Sequence, residues 1–224
     1  MQLILNLQSN ANKNPYLKED FLLLPENSSA FRSLKDFFLQ NHFLQSNFRS
    51  LILKGDDCSG KSHLLTIFAT DFSADFLKYE HIADVNLSSF LLADRFYILE
   101  DIDKIDDEKF LFHLINASLE ANSFLIFSAK SLSKFSLKDL KSRLGNIFTA
   151  EIKNPSLESM QQLLVQSFSR KQIKLDNRII NFIAEKIDRS YKAIYDAVKL
   201  VEFHNFKTGK TITMKEVREI FTSN

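Results

Sequence analysis

The sequence predicts an α/β domain with a parallel sheet covered on both faces, followed by a smaller all-helical domain. Short apolar runs alternate with helical stretches, a pattern typical of parallel strands joined by helices. A phosphate-loop motif stands between the first run and a helix. We therefore divide the 224 residues into a flexible polar arm, 1–18, an α/β domain, 19–153, and a helical domain, 154–224.

Hydrophobic periodicity predicts the elements of the α/β domain. A first helix is expected over residues 31–42, because Phe31, Leu34 and Phe38 share one face. Apolar runs predict strands over residues 51–53, 96–99, 124–127 and 147–152, with 82–85 as a weaker candidate. Between them, helical spacing predicts helices over residues 61–69 and 107–121.

The helical domain begins where Pro155 interrupts the alternation of strands and helices. The spacing of apolar residues beyond it predicts four helices, over residues 157–170, 177–186, 191–206 and 214–221. Residues 211–213 are the one strand candidate in this part of the sequence. The sequence therefore places all the main strands before residue 154.

Composition excludes several classes of protein. No apolar run approaches the roughly 18 residues of a membrane-spanning helix, and the first residues do not resemble a signal peptide. The single cysteine, Cys58, forbids an internal disulfide, so we expect a cytoplasmic protein with no membrane partner. The five histidines lack metal-ligand spacing and there is no nucleophile elbow, which argues against a metal enzyme and a serine hydrolase.

The charge balance excludes a strongly basic nucleic-acid coat, because the net charge is only +1. The charge is unevenly spread: residues 154–224 hold 12 basic and 8 acidic side chains, a net charge of +4, against −3 for residues 1–153. A mildly basic helical domain permits contact with a polyanion without requiring it.

The strongest functional signal is the pattern G-x-x-x-x-G-K-S directly after the strand at 51–53. Its residues are Gly55, Asp56, Asp57, Cys58, Ser59, Gly60, Lys61 and Ser62. The glycines let backbone N–H groups turn toward phosphates, and the following helix adds the partial positive charge of its N-terminus. Lys61 is expected to reach the β- and γ-phosphates and Ser62 to hold Mg²⁺. A chance match is the alternative, but half of the four glycines lie here, in the required strand–loop–helix context.

The strand at 96–99 ends in two acids, Glu100 and Asp101. In a nucleotide-binding sheet such a strand lies beside the phosphate-loop strand, so its carboxylates face Mg²⁺ and the attacking water. Glu100 is the candidate metal ligand, directly or through a water, and Asp101 is the candidate to orient or deprotonate the attacking water. The alternative is an ordinary strand followed by a solvated acidic turn.

Together these features resemble the AAA+ ATPases, and within them the DnaA-type initiator family and its short Hda branch. The resemblance covers nearly the whole chain. Six segments carry it: residues 19–27, the phosphate loop, residues 99–101, the sequence LKSRLG at 140–145, the sequence DRSYK at 188–192, and residues 212–214. The resemblance implies a five-stranded αβα nucleotide-binding domain with a helical lid, and ATP or ADP with Mg²⁺ as cofactors.

The resemblance also implies roles for single residues. Arg143, within LKSRLG, corresponds to an arginine finger that reaches the γ-phosphate of a neighbouring subunit; a plain surface arginine is the alternative. Phe21 and Asn27 correspond to the lining of the adenine pocket, and His63 is a further nucleotide contact. Lys192 aligns with the sensor-2 position, and a solvated lysine is an equal alternative.

The polar residue called sensor 1 departs from the family pattern in this sequence. The sensor-1 residue falls near Ser128 or Ala129, where the family's acid is missing. Together with Glu100 as the first acid, this departure predicts that ATP hydrolysis is slow or takes place in trans. It leaves the prediction of nucleotide binding unchanged.

The N-terminal arm resembles the peptide by which replication proteins dock into the bacterial sliding clamp. Its Q-L-x-L-x-L pattern places Gln2, Leu3, Leu5 and Leu7 at the positions that would contact the clamp. A flexible segment can insert the three leucines into an apolar pocket while the glutamine amide forms hydrogen bonds. An extra edge strand or a disordered start is the alternative.

The sequence thus predicts an Hda-like regulator that binds the DNA-loaded clamp and promotes ATP hydrolysis by a DnaA-type initiator. A homodimer or larger oligomer is compatible with this prediction, and we expect no domain that reads duplex DNA. Two rivals remain open. The first is a helicase-loader or transposition-type ATPase that acts on single-stranded DNA. The second is a nucleotide-locked adaptor in which Arg143 has no ATPase role.

Overall fold

The computed structural model describes residues 16–39, 49–208 and 212–222. Its centre is a five-stranded sheet in the order β2-β3-β4-β1-β5, in which every neighbouring pair is parallel. The strands are β1 (Ser50–Gly55), β2 (Asp75–Leu77), β3 (Phe96–Leu99), β4 (Phe124–Ala129) and β5 (Phe148–Ile152). The predicted α/β class with a five-stranded parallel sheet is confirmed.

Helices cover both faces of the sheet. They are α1 (Pro25–Leu39), α2 (Lys61–Phe72), α3 (Tyr79–Ile82), α4 (Leu87–Phe90), α5 (Glu108–Glu120) and α6 (Lys138–Gly145). Side chains alternate along a strand, so Leu51 and Leu53 pack on the α1–α2 side while Ile52 packs on the α5–α6 side. All three are fully buried, which fits a central strand sandwiched between two helical layers.

Phenylalanines fill much of the layer between the sheet and helices α1 and α2. The rings of Phe38 and Phe68 stack with centroids 5.4 Å apart, and those of Phe96 and Phe124 stack at 4.7 Å. Phe38 and Phe96 join the two pairs at 4.8 Å. Each ring buries a large apolar area, so this cluster contributes strongly to the stability of the nucleotide-binding half.

The C-terminal part folds as four helices around a core of its own: α7 (Leu157–Arg170), α8 (Asn177–Lys186), α9 (Tyr191–Thr208) and α10 (Met214–Thr222). Side-chain caps set two of their starts, since Ser156 accepts the Ser159 N–H and Asp176 accepts the Arg178 N–H. The predicted helices are confirmed. Thr213 is not a strand residue, because it forms a reciprocal capping box with Glu216 at the start of α10.

Two predictions about the α/β domain were wrong in position. Residues 82–85 are not a strand: Ile82 ends α3, and the second strand is the short β2. β2 has three residues and lies at the edge of the sheet, so its apolar signal is weak. The first helix begins at Pro25 rather than residue 31, since proline suits the first position of a helix.

Glu26 joins the helical domain to α1. Its carboxylate accepts hydrogen bonds from the Ser156 N–H at 2.8 Å and from the Ser159 hydroxyl at 2.7 Å. Partial burial acts to raise the pKa of Glu26, but these hydrogen bonds hold it below its ordinary value. Nearby, the Tyr191 hydroxyl donates to the Lys153 carbonyl, and burial raises the pKa of Tyr191 to about 12. The exact boundary at residue 154 stays a prediction.

No helix within the described ranges combines the length and the apolarity that crossing a membrane requires.

Candidate nucleotide-binding site

The sheet gathers the predicted site residues at one edge. β1 lies between β4 and β5, and β3 lies on the other side of β4, with all strands parallel. In this register Leu53 is opposite Ser128, and Leu99 is opposite Phe127. The segments that follow β1, β3 and β4 therefore leave the sheet together. The phosphate loop, the two acids and the predicted sensor-1 position are neighbours for this reason.

The phosphate loop requires its two glycines for different reasons. A Cβ on Gly55 would lie 2.7 Å from Ser59 Oγ and 3.2 Å from Ile152 Cβ, so no larger residue fits without movement. Gly60 adopts a φ of +91°, which L-residues rarely tolerate, just before α2 begins at Lys61. The loop thus leads directly into a helix N-terminus, the arrangement that binds phosphate through backbone N–H groups.

Cys58 takes a left-handed conformation that is usually left to glycine, with a φ of +61°. Its side chain is exposed. Desolvation raises the pKa of the thiol despite the nearby Lys192. A raised pKa keeps the thiol protonated and weakly nucleophilic, so the structure favours a tolerated small side chain over a redox-sensitive cysteine.

Lys61 is folded back over the loop. Its Nζ donates to the carbonyls of Gly55 at 2.8 Å and Asp56 at 3.1 Å, and the residue is only 7% exposed. Ser59 Oγ is buried and has no hydrogen-bond partner among the described residues. The loop therefore holds the Lys61 cation against its own carbonyls, while the Ser59 hydroxyl is packed against Gly55 inside the loop.

The two acids of the loop contact a lysine that the sequence reasoning missed. Lys130 Nζ lies 2.8 Å from Asp57 Oδ2 and 3.9 Å from Asp56 Oδ1. The hydrogen bond from Lys130 holds the pKa of Asp57 below its ordinary value, so this carboxylate is ionised at neutral pH. The signal was available in the sequence, because Lys130 directly follows the strand that carries the sensor-1 position.

Glu100 supplies a buried carboxylate beside Ser62. Burial raises the pKa of Glu100, while a hydrogen bond with the Ser62 hydroxyl acts in the opposite direction. Its Oε1 atom is buried and has no hydrogen-bond partner among the described residues. An unpaired buried carboxylate oxygen next to a serine hydroxyl suits Mg²⁺, which binds one or two protein oxygens together with water and phosphate. The predicted pair of metal ligands therefore fits this ion chemically.

Asp101 lies beside Glu100 but is held differently. It adopts a left-handed φ of +51°, its N–H donates to the buried Ser128 Oγ at 2.9 Å, and its carboxylate pairs with Lys104 Nζ at 2.7 Å. Ser128 thus fixes the backbone where the two acids leave β3. The predicted catalytic role of Asp101 stays a prediction.

Aromatic rings form the other side of the phosphate loop. Phe21 Cε2 lies 3.5 Å from the position that a Cβ on Gly60 would occupy, and its ring meets the ring of His63 edge-on at 5.2 Å. Tyr16, which the sequence reasoning missed, stacks on His63 at 5.1 Å. His63 Nε2 is 2.7 Å from the Leu17 carbonyl oxygen. A cluster of aromatic rings next to a phosphate loop is suited to a nucleotide base.

Asn27 supports the segment that carries Phe21 through hydrogen bonds to its backbone. Its side chain is buried, accepts the Leu24 N–H at 2.9 Å and donates to the Leu22 carbonyl at 3.0 Å. These bonds fix the segment that carries Phe21. They also occupy the amide, so the structure shows a supporting contact for Asn27, and direct contact with a base stays a prediction.

Lys192, the predicted sensor-2 residue, lies in the first turn of α9. Its ammonium is exposed and hydrogen-bonded to Asp196 one turn further along the helix. A nucleotide would have to compete with Asp196 for it, and the sensor-2 role stays a prediction.

Arg143 lies on the exposed face of α6. Within the described ranges its side chain has no hydrogen bond or ion pair. The predicted clamp contacts Gln2, Leu3, Leu5 and Leu7 lie outside the described residues. The structure therefore brings the phosphate, metal and base residues together, and the arginine-finger role of Arg143 stays a prediction.

Comparison with known proteins supports the same architecture. No protein-family model matches the chain. The chromosomal replication initiator DnaA of Ehrlichia ruminantium is 24% identical over 229 aligned positions, which cover 91% of this chain and 49% of that protein. DnaA of Anaplasma marginale is 24% identical, covering 77% of this chain and 42% of that protein. The chain thus spans about half the length of the curated relatives it matches.

Solved structures agree over most of the chain. Domain III of Thermotoga maritima DnaA superposes with a TM-score of 0.72 at 18% identity, covering 94% of this chain and 97% of that one. The chain has the AAA+ fold. The Thermotoga maritima RuvB motor gives a TM-score of 0.64 at 16% identity over 86% of this chain and 67% of that one.

A DnaA bound to AMPPCP and single-stranded DNA gives a TM-score of 0.66 at 15% identity, covering 87% of this chain and 67% of that one. The chain is thus DnaA-like in sequence and AAA+ in fold. Membership of the Hda branch stays a prediction.

Proposed function

We propose that this chain is a cytoplasmic, adenine-nucleotide-binding AAA+ regulator of chromosome replication. In this proposal it binds the DNA-loaded sliding clamp and promotes ATP hydrolysis by a DnaA-type initiator, so that replication does not start again. The observation that carries the proposal is a contrast within the chain. The phosphate loop is complete and self-contained, while Arg143 is exposed and unpaired among the described residues.

The nucleotide would lie with its phosphates over the loop and its base against Phe21 and His63. Lys61 would exchange its bonds to two loop carbonyls for bonds to phosphate oxygens. Ser62 and Glu100 would hold Mg²⁺, which when bound neutralises charge on the phosphates. The sequence similarity to DnaA and the AMPPCP-bound structural neighbour support adenine as the base.

Arg143 would act on a nucleotide held by the initiator. An arginine cation stabilises the charge that develops on the transferred phosphoryl group only when it is brought close to it. On α6 it is exposed, as a residue acting on a second molecule must be. In this proposal the useful hydrolysis takes place in the partner's site, which agrees with slow turnover in this chain's own site.

Clamp binding would be the task of Gln2, Leu3, Leu5 and Leu7. The support for it is the sequence pattern and the resemblance that accompanies it. Tethering to a clamp on DNA would raise the local concentration of this chain near the initiator.

The main alternative is a free-standing ATPase that acts on single-stranded DNA, alone or as an oligomer. The structural neighbours favour it as a second candidate, because they include the RuvB branch-migration motor and a DnaA bound to single-stranded DNA. The mildly basic helical domain is compatible with it.

Hydrolysis of radiolabelled ATP pre-bound to the initiator tests the proposal. The initiator is mixed with clamp-loaded DNA and with the wild-type chain, an Arg143→Ala variant, a deletion of residues 1–8, or an Arg178→Ala variant. Arg178 is an exposed arginine of the helical domain and serves as the matched control. We expect stimulation that is lost in the first two variants and kept in the control.

Other results would point elsewhere. Stimulation that survives Arg143→Ala while clamp binding stays intact would favour the nucleotide-locked adaptor. No stimulation, together with ATP turnover by this chain on single-stranded DNA, would replace the proposal with the free-standing ATPase.

A further inference from the structure

The phosphate loop carries two adjacent carboxylates, Asp56 and Asp57, where it must receive a polyanion. Like charges at short range disfavour binding, and the penalty grows with the charge of the ligand. A triphosphate carries more negative charge than a diphosphate, so uncompensated carboxylates would weaken ATP binding more than ADP binding. Some cation must offset them if the loop is to hold a triphosphate.

The three lysines near the loop differ in whether they contact the carboxylates of Asp56 and Asp57. Lys61 donates to backbone carbonyls of the loop rather than to its carboxylates. Lys104, which also lies near Asp57, is paired with Asp101 at 2.7 Å. Lys130 is the lysine that contacts both loop carboxylates, at 2.8 Å and 3.9 Å.

The position of Lys130 is fixed by its backbone. It follows the last residue of β4, and its N–H donates to Asp103 Oδ1 at 3.2 Å. Its side chain reaches across to a loop that is 73 residues away in sequence. The ammonium is therefore presented to the loop by a strand end and a backbone hydrogen bond, although the side chain itself is half exposed.

We propose that Lys130 is a specificity-determining residue of the nucleotide site, which neutralises Asp56 and Asp57 and so allows the loop to accept a triphosphate as readily as a diphosphate. This inference rests on the proposed nucleotide site. It assigns the lysine a role through the two carboxylates rather than through contact with the nucleotide.

Fluorescent ATP and ADP analogues titrated into the full chain measure the two affinities. We expect Lys130→Met to weaken ATP binding by about tenfold and ADP binding by about threefold at low salt. Lys130→Arg keeps the charge and should retain both affinities. The double variant Lys130→Met, Asp57→Asn removes both charges of the closest pair and should restore most of the lost ATP affinity.

Lys134→Met is the matched control. Lys134 belongs to the same connection after β4 but pairs with Asp106 at 3.0 Å, away from the phosphate loop. This variant should leave the ratio of the two affinities unchanged. The change caused by Lys130→Met should shrink as ionic strength rises, because exposed charges are screened by salt. Thermal unfolding of each variant checks that the fold is retained.

Each result decides the inference. A wild-type ATP-to-ADP ratio in Lys130→Met would overturn it, and so would a double variant that binds ATP as weakly as the single one. Failure of the proposed site looks different: the wild-type chain itself would then bind neither nucleotide.

Discussion

The phosphate loop and helix α6 hold their key cations in opposite ways. Lys61 is 7% exposed and donates to two carbonyls of its own loop. Arg143 is exposed and pairs with nothing in the described part of the chain. In the proposed function, the first cation serves a ligand that this chain binds itself, and the second acts on another molecule. Under that proposal, one chain combines a self-contained binding site with half of a second site.

Exposure of Arg143 does not mean that its helix is loosely held. The Glu108 carboxylate accepts the N–H groups of Ser136 and Leu137 at the start of α6, at 2.9 Å and 2.6 Å. These backbone hydrogen bonds hold the pKa of Glu108 below its ordinary value. Leu140 and Leu144 are buried on the inner side of the helix. The arginine is therefore carried by a firmly anchored helix, so a partner of the proposed kind would order less of the backbone on binding.

Of the changes that test the contrast between Lys61 and Arg143, removal of the Lys61 cation should have the largest effect on nucleotide binding. Lys61→Ala should weaken nucleotide binding by about 2–5 kcal/mol, which is roughly 30-fold or more. Titration with fluorescent ATP and ADP analogues measures the loss. Lys54→Ala is the control, because Lys54 is on β1 but pairs with the exposed Glu151. Equal losses in both variants would contradict the special role of Lys61.

Glu100 makes the loop side sensitive to pH. Its pKa in the folded chain lies above the ordinary value of 4.5 because it is buried. The Glu100 carboxyl group therefore binds its proton more tightly in the folded state than in the unfolded state. Its contribution to stability is present at acidic pH and is lost as the pH rises from about 4.5 through the raised pKa.

Glu100→Gln should remove this loss. Thermal unfolding in EDTA, scanned over about pH 4 to 7, should show the variant gaining on the wild type as the pH rises. Glu151→Gln, on the exposed end of β5, is the control and should follow the wild-type curve. In Glu100→Gln, adding Mg²⁺ should also no longer increase the affinity for the nucleotide. Parallel pH curves for variant and wild type would contradict the assigned burial effect.

Relief of the strained backbone at Cys58 should have a smaller effect, on the free energy of unfolding. Cys58→Gly should raise the free energy of unfolding by at most about 1 kcal/mol, because glycine relieves the left-handed conformation but gains entropy in the unfolded chain. Urea denaturation measures the difference. Cys58→Ser removes the thiol and keeps the strain, so it should give no gain. A gain in the serine variant would assign the effect to the thiol instead.

Arg143→Ala should give the smallest effect on the chain itself. We expect a change in stability within about 0.5 kcal/mol and unchanged nucleotide affinity, because the side chain is exposed. Leu144→Ala, one residue further on and buried, should cost about 2–5 kcal/mol. If Arg143→Ala weakened nucleotide binding by this chain, the arginine would belong to its own site and the contrast with Lys61 would disappear.

Sequence patterns predicted the parts of the molecule that depend on local chemistry. The phosphate loop, the strand ending in Glu100 and the four C-terminal helices all have their signals within short windows. The edge strand β2 was missed because three residues, of which only Leu77 is buried, leave no clear hydrophobic period. Tyr16 was missed because folding, and not sequence distance, brings it to His63. Lys130 did have a sequence signal, its position directly after β4, but only the folded chain shows that its side chain reaches the phosphate loop.

Helix α7 is fastened at both ends to the segment that leads into α1. At its start Ser156 and Ser159 hold Glu26, and at its end Arg170 pairs with Asp20 at 2.9 Å while Gln166 donates to the Asp20 carbonyl. Phe21 lies between these two anchor points. The segment that carries Phe21 is thus tied to the helical domain at Asp20 and to α1, which packs on the sheet, from Pro25 onward. If the helical domain rotates, we expect this short segment to bend, so that the position of the ring beside the phosphate loop reports the angle between the two domains.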